Sequence, residues 1–126
     1  MGSGLTTTQL ARLDAACQVV YAGFGTVPYL VGSAGDSLDW RDVDVRLIMR
    51  DDEFDRLFGD RRARWEIVCM AISTYLSDAT GLPVDFQIQR MTEANEKHRG
   101  PRNPLGLHGT RFAGGGDATR FTEGTA

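Results

Sequence analysis

One short pattern restricts this chain more than any other. In Asp42-Val43-Asp44-Val45-Arg46-Leu47 polar and aliphatic side chains alternate strictly, and Val84-Asp85-Phe86-Gln87-Ile88-Gln89 repeats the alternation. A period of two sends successive side chains to opposite faces of a β-strand. Each segment must therefore bury one apolar face and turn the other, bearing Asp42, Asp44 and Arg46 or Asp85, Gln87 and Gln89, toward a cleft. Between them Trp65, Val68, Cys69, Ile72 and Leu76 recur at helical spacing and form a continuous apolar stripe. Strand, helix and strand in that order predict an α/β (α+β) domain, a small mixed β-sheet packed on helices.

The remaining elements follow from local chemistry. Hydroxyls at Thr6 to Thr8 offer an N-cap to a first helix carrying Leu10, Leu13, Ala16, Cys17, Val20 and Tyr21, which should end near Gly23 or Gly25. Tyr29-Leu30-Val31 reads as a buried strand that stops at a tight turn, Gly32-Ser33, and Ala34 to Arg41 reads as loop. The clearest strand spans Asp42 to Met49. Asp51-Asp52-Glu53 then supplies an acidic first turn to a short helix through Phe54, Leu57 and Phe58. After Gly59 a longer helix runs from about Arg61 to Thr80, closed by Gly81 and Pro83. Thr92 to His98 predicts one or two further helical turns. At 126 residues the chain is one small domain, with its core expected in residues 1–106 and a glycine-rich tail, flexible in expectation, over 107–126.

Composition removes several classes of function. A net charge of −3 gives no electrostatic reason for non-specific nucleic-acid binding. Cys17 and Cys69 lack any CxxC or Cys/His spacing, so zinc is unsupported, and two buried thiols in a reducing cytoplasm are expected. No apolar run reaches the roughly 18 residues of a membrane span. A cytoplasmic protein without membrane contact is the expectation.

The polar strand face carries the chemistry. Alternate residues on one strand place Asp42 and Asp44 about 6.5–7 Å apart at the backbone and on the same face. Asp85, from an adjacent strand, would complete a set of three carboxylates. Such oxygen donors suit two divalent cations, Mg²⁺ or Mn²⁺, held against phosphate. Carboxylates that converge in a cleft repel one another unless a cation stands between them, which favours a metal site. Gly32 lets backbone approach a phosphate closely, and Ser33 can donate to its oxygens. Two readings stay open for Arg46: it contacts phosphate or pyrophosphate, or it neutralises the Asp cluster.

These residues also carry a resemblance. Val31-Gly32-Ser33, eight intervening residues, then Asp42-Val43-Asp44-Val45, with a later Val84-Asp85-Phe86, resembles the DNA polymerase beta superfamily of nucleotidyltransferases over about residues 28–90. The size is similar to that of its minimal members, and the wider wording resembles bacterial and phage proteins described only as nucleotidyltransferase-like. The intervening loop is shorter than is common there, and Ala34 stands where a basic residue often follows. The resemblance implies the nucleotidyltransferase fold, Asp42, Asp44 and Asp85 as catalytic and metal-binding residues, and Gly32, Ser33 and Arg46 as nucleotide-binding residues. It implies transfer of NMP from an NTP, ATP included, to a hydroxyl acceptor with release of pyrophosphate. The acceptor classes it implies are a protein side chain, as in toxin–antitoxin pairs, an RNA 3′ end, or an aminoglycoside. The negative charge disfavours RNA. A C-terminal helical domain is not expected, so a protein partner or a homodimer is expected to complete the cleft. The alternative from the same residues is a non-catalytic nucleotide-binding or protein-interaction module.

Overall fold

A computed structural model describes residues 4–32, 42–97 and 100–107, and among these described residues there are four helices and four strands. They follow in the order α1 (Thr7–Phe24), β1 (Pro28–Val31), β2 (Val43–Met49), α2 (Asp51–Leu57), α3 (Arg62–Thr80), β3 (Val84–Arg90), α4 (Met91–Lys97) and β4 (Asn103–Pro104). The expected start of α1 is realised as a capping box. Thr6 Oγ1 accepts from Gln9 N at 3.1 Å, and the Gln9 side chain accepts from Thr6 N at 2.8 Å. The helix closes at Gly25, as α3 closes at Gly81.

The sheet has the order β3-β2-β1-β4. β1 is antiparallel to both β2 and β4, whereas β2 and β3 run parallel, so the sheet is mixed and the fold class is α/β. Parallel pairing of β2 and β3 requires a long crossover, which α2 and α3 supply. Strand pairing aligns the side chains in rows. Leu30, Val45 and Phe86 share one row, and Leu47 lies between Pro28 and Ile88 in the next. This face meets α1 and α3 in a core that includes Leu13, Cys17, Leu30, Val45, Leu47, Leu76, Phe86 and Ile88. At about 25 cal/mol per Å² of apolar surface removed from water, that face is the main source of stability. Tyr75 adds a polar tie between the two helices, its hydroxyl donating to Ala16 O at 3.1 Å.

One end of β2 departs from expectation. The strand begins at Val43, and Asp42 lies on an exposed bend before it. In the parallel register Val43 faces Val84, so the next partner of Asp42 would be Pro83. Proline has no N–H to extend the ladder. Pro83 instead contributes its carbonyl, which accepts from Val43 N at 2.9 Å.

The outer edge of β3 is sealed in a way the sequence pattern did not announce. Along α3, Trp65, Cys69, Ser73 and Ser77 recur every fourth residue and reach the main chain of β3. Ser77 Oγ accepts from Val84 N at 3.0 Å, Ser73 Oγ accepts from Phe86 N at 2.9 Å, and Cys69 Sγ accepts from Ile88 N at 3.5 Å. Trp65 Nε1 donates to Ile88 O at 2.7 Å. An unpaired strand edge is a template for misassembly, and here helix side chains occupy it. Both cysteines are buried and free, as expected. Burial, with the Asp14 carboxylate as a smaller cause, pushes the Cys17 thiol up to about 12.

The C-terminal segment returns to α1. Leu105 is buried and its N–H donates to Pro28 O at 2.8 Å, while Gly106 N donates to the buried Asp14 Oδ1 at 2.8 Å. Gly106 has φ +80°, and a Cβ there would lie 2.9 Å from Cys17 O, so only glycine fits this approach to the helix backbone. Leu107 is exposed, and the rest of the expected tail, 108–126, lies outside the described residues.

Candidate active site

The sheet face opposite α1 and α3 carries the polar row. Register places Val31, Asp44 and Asp85 side by side on β1, β2 and β3, and Tyr29, Arg46 and Gln87 in the next row. Asp44 and Asp85 are thus neighbours across parallel strands, with side chains 31% and 45% exposed. Between them lies Arg46, only 8% exposed. Its Nη2 is 3.3 Å from Asp85 Oδ2 and 3.8 Å from Asp44 Oδ1. Its Nη1 donates to Asp85 O at 2.7 Å and to Val45 O at 3.1 Å. Charge-assisted bonds of this kind hold a guanidinium in place, and two backbone acceptors fix its plane. Of the two readings open for Arg46, the geometry is that of neutralisation, because the guanidinium is committed to the carboxylate row.

That observation revises an argument from the sequence. Converging carboxylates need a cation, and the chain supplies one itself. Among the described residues no group of three or more His, Cys, Asp and Glu side chains is arranged to hold a metal ion. Asp42, displaced onto the bend, is not gathered with Asp44 and Asp85. The fold therefore joins two of the three expected carboxylates and sets the third at the margin.

Gly32 occupies the place expected of a phosphate turn. It follows β1 with φ +77°, and a Cβ on it would lie 2.6 Å from Asp44 Oδ2. The turn passes so close over the Asp44 carboxylate that any side chain would displace it. The Asp44 carboxylate is thus held between the Gly32 turn and Arg46, beside Asp85 on the next strand. Ser33 lies outside the described residues, together with Ala34 to Arg41 and with His98 and His108.

Two neighbouring features complete the surroundings. Asp51, at the start of α2, accepts from Thr92 N at 3.1 Å and also from the Thr92 hydroxyl, while Arg90 bonds Asp55 through Nε and Nη2 at 3.1 and 3.0 Å. Together these polar bonds dock α2 onto the junction of β3 and α4. Beside the C-terminal half of β3 a cleft of about 520 Å³ opens, lined by Gln87 and Gln89 from the carboxylate face, by Phe54 and Trp65 from the helices, and by Phe58 and Arg61 from the turn between α2 and α3. Arg62 stacks over the Trp65 ring at 4.9 Å. Helical spacing alone assigns Trp65 and Cys69 to the apolar stripe and does not distinguish the row of α3 side chains that reaches β3. Ser73 and Ser77 were the available signal, since serines inside a helix are costly unless their hydroxyls are used. No helix among the described residues is long and apolar enough to cross a membrane. No protein-family model, no curated protein and no solved structure matches this chain.

Proposed function

We propose that this chain is a metal-dependent nucleotidyltransferase of minimal type, moving an NMP group from an NTP to a hydroxyl acceptor. The observation that carries the reading is the row Asp44–Asp85, in register on parallel strands, with the Gly32 turn pressed against Asp44. Asp44 and Asp85 would hold Mg²⁺ or Mn²⁺. Such an ion, when bound, supplies charge stabilisation at the α-phosphate and lowers the pKa of the acceptor hydroxyl.

The chain's own residues do the rest. Asp85 turns Oδ2 toward Arg46, which leaves Oδ1 to take the acceptor's proton. The acceptor oxygen bonds to the α-phosphorus as the bond to the β-phosphate oxygen breaks, and pyrophosphate leaves. Arg46 holds the two carboxylates at fixed separation, a preorganisation that avoids rearrangement during reaction. The cleft bounded by Gln87, Trp65 and Phe54, which starts two residues along β3 from Asp85, would receive the acceptor. Purified chain incubated with each labelled NTP, Mg²⁺ and a host lysate should release pyrophosphate and label an acceptor. Release no greater than that of Asp44→Ala would sink the reading.

One observation favours a second reading, a non-catalytic interaction module. Arg46 already compensates the carboxylates without any ligand. Calorimetry separates the two: partner binding that survives Asp42→Ala and Asp85→Ala, with no heat from any NTP, selects the module.

A further inference from the structure

We propose that the cleft beside the C-terminal half of β3 binds an adenine mononucleotide, a planar base joined through ribose to a phosphate monoester. Its volume of about 520 Å³ is that of a small-molecule site. In the reaction proposed above, a ribose hydroxyl of this ligand would bond to the α-phosphorus of the NTP and give its proton to Asp85 as pyrophosphate leaves. That role rests on the reading above, whereas binding in the cleft needs neither a metal ion nor Asp44.

Three kinds of side chain meet here, and each suits one part of the ligand. Phe54 and Trp65 are partly exposed and give the cleft aromatic surface. The indole is already fixed, because its Nε1 donates to Ile88 O at 2.7 Å and the Arg62 guanidinium lies 4.9 Å from its centroid. A ring held in place loses little freedom when a base packs against it. Gln87 and Gln89 supply amides, and Gln89 Oε1 is buried without a hydrogen-bond partner among the described residues. An orphaned acceptor is costly, and turning the amide toward a ligand donor recovers that cost. A glutamine amide sets one donor beside one acceptor, which matches the N7 acceptor and N6 donor of adenine.

Charge selects the third part. The chain carries −3 overall, yet four basic residues, Arg61, Arg62, Arg90 and Lys97, line the cleft against the acids Asp60 and Glu93. Arg62 is paired with Glu66, and Arg90 is bonded to Asp55 and lies in the field of Glu93. Arg61, in the turn between α2 and α3, and Lys97, in the last turn of α4, are exposed and make no ion pair among the described residues. Two uncommitted cations thus stand against Asp60 alone, and the surplus positive charge can receive phosphate oxygens.

Titration calorimetry on the full 126-residue chain, with a chelator present, tests the site. AMP should bind saturably, with adenosine and ribose 5-phosphate each at least about tenfold weaker, as for loss of a charged or stacked partner. Arg61→Ala and Lys97→Ala should each weaken AMP about tenfold. Gln89→Leu should weaken it as well without lowering the urea midpoint, because it removes an orphaned acceptor and no existing bond. Asp44→Ala should bind AMP as wild type does. Ribose 5-phosphate binding as tightly as AMP would reduce the cleft to an anion site and overturn the inference, and so would adenosine binding as tightly as AMP. Absence of AMP heat from a chain that releases pyrophosphate removes this inference alone. AMP binding by a chain that releases none keeps the cleft site and removes the proposed reaction.

Discussion

β3 meets two very different environments on its two sides, and the contrast separates structure from function. Along its outer edge, main-chain groups of Val84, Phe86 and Ile88 are each met by a side chain from α3, so the polar demand of that edge is answered within the chain. On its carboxylate face, Asp85 shares one guanidinium with Asp44, and both carboxylates stay partly exposed. The first arrangement closes a strand against further partners. The second leaves two partly exposed carboxylates gathered around one guanidinium at the solvent face.

Removing Arg46 should have the largest effect on stability. Arg46→Met keeps the stem but deletes the bonds to Asp85 and Val45 and leaves two acids facing each other. A loss of about 2–3 kcal/mol is expected by urea denaturation, below the full range for a buried pair because both carboxylates keep partial contact with solvent. A loss under about 0.5 kcal/mol, the size of an ordinary surface change, would mean that the carboxylate face is as self-sufficient as the sealed edge. Next comes the edge itself. Ser73→Ala removes both the acceptor for Phe86 N and the donor to Phe86 O, at 2.9 and 3.3 Å. Orphaning these groups should cost about 2 kcal/mol and speed hydrogen exchange at Phe86 above that at Val45 in central β2. Equal exchange in mutant and wild type would show that water substitutes freely for the hydroxyl.

Gly32→Ala tests the other side with a smaller cost in stability, about 1–2 kcal/mol for a left-handed residue. Its main consequence is expected in binding. The added methyl displaces Asp44 Oδ2, so Mn²⁺ affinity should fall by about tenfold or more, as for loss of a group that orients a ligand. Unchanged affinity would detach the Gly32 turn from the site. The smallest effect is electrostatic. Hydrogen bonds from the Thr92 side chain and backbone, and then the Arg90 charge, hold the Asp51 carboxyl below its ordinary value of 3.8. A carboxylate favoured by folding contributes stability above that value and loses it as pH falls through the lower folded value. Wild type and Asp51→Asn should therefore differ near neutrality and converge in acid below 3.8; a gap independent of pH would assign the effect to packing.

Much of the architecture was legible locally. The N-cap at Thr6, the stop at Gly81 and the alternation of Val84, Phe86 and Ile88 are properties of neighbouring residues, and each appears where local chemistry puts it. Asp42 is the instructive exception. Its own strand pattern is intact, but the parallel register brings it level with Pro83, which no reading of residues 42–49 alone would reveal. The buried Asp14 is a second case: a charged residue on the inward face of α1 makes sense only once Gly106 arrives with its N–H.

The candidate site divides along the same line. Residue order alone determined that Asp44, Arg46 and Asp85 lie on polar strand faces beside a glycine turn, because side-chain direction along a strand is set by covalent geometry. Only the tertiary structure decided which charges meet. Arg46 and Asp85 are 39 positions apart, and their contact exists because β2 and β3 pair in one register. A shift of one residue in that register would turn Asp85 to the core face and leave Arg46 without it. Period is a local property of the chain, whereas partnership depends on long-range packing energy summed over the whole sheet.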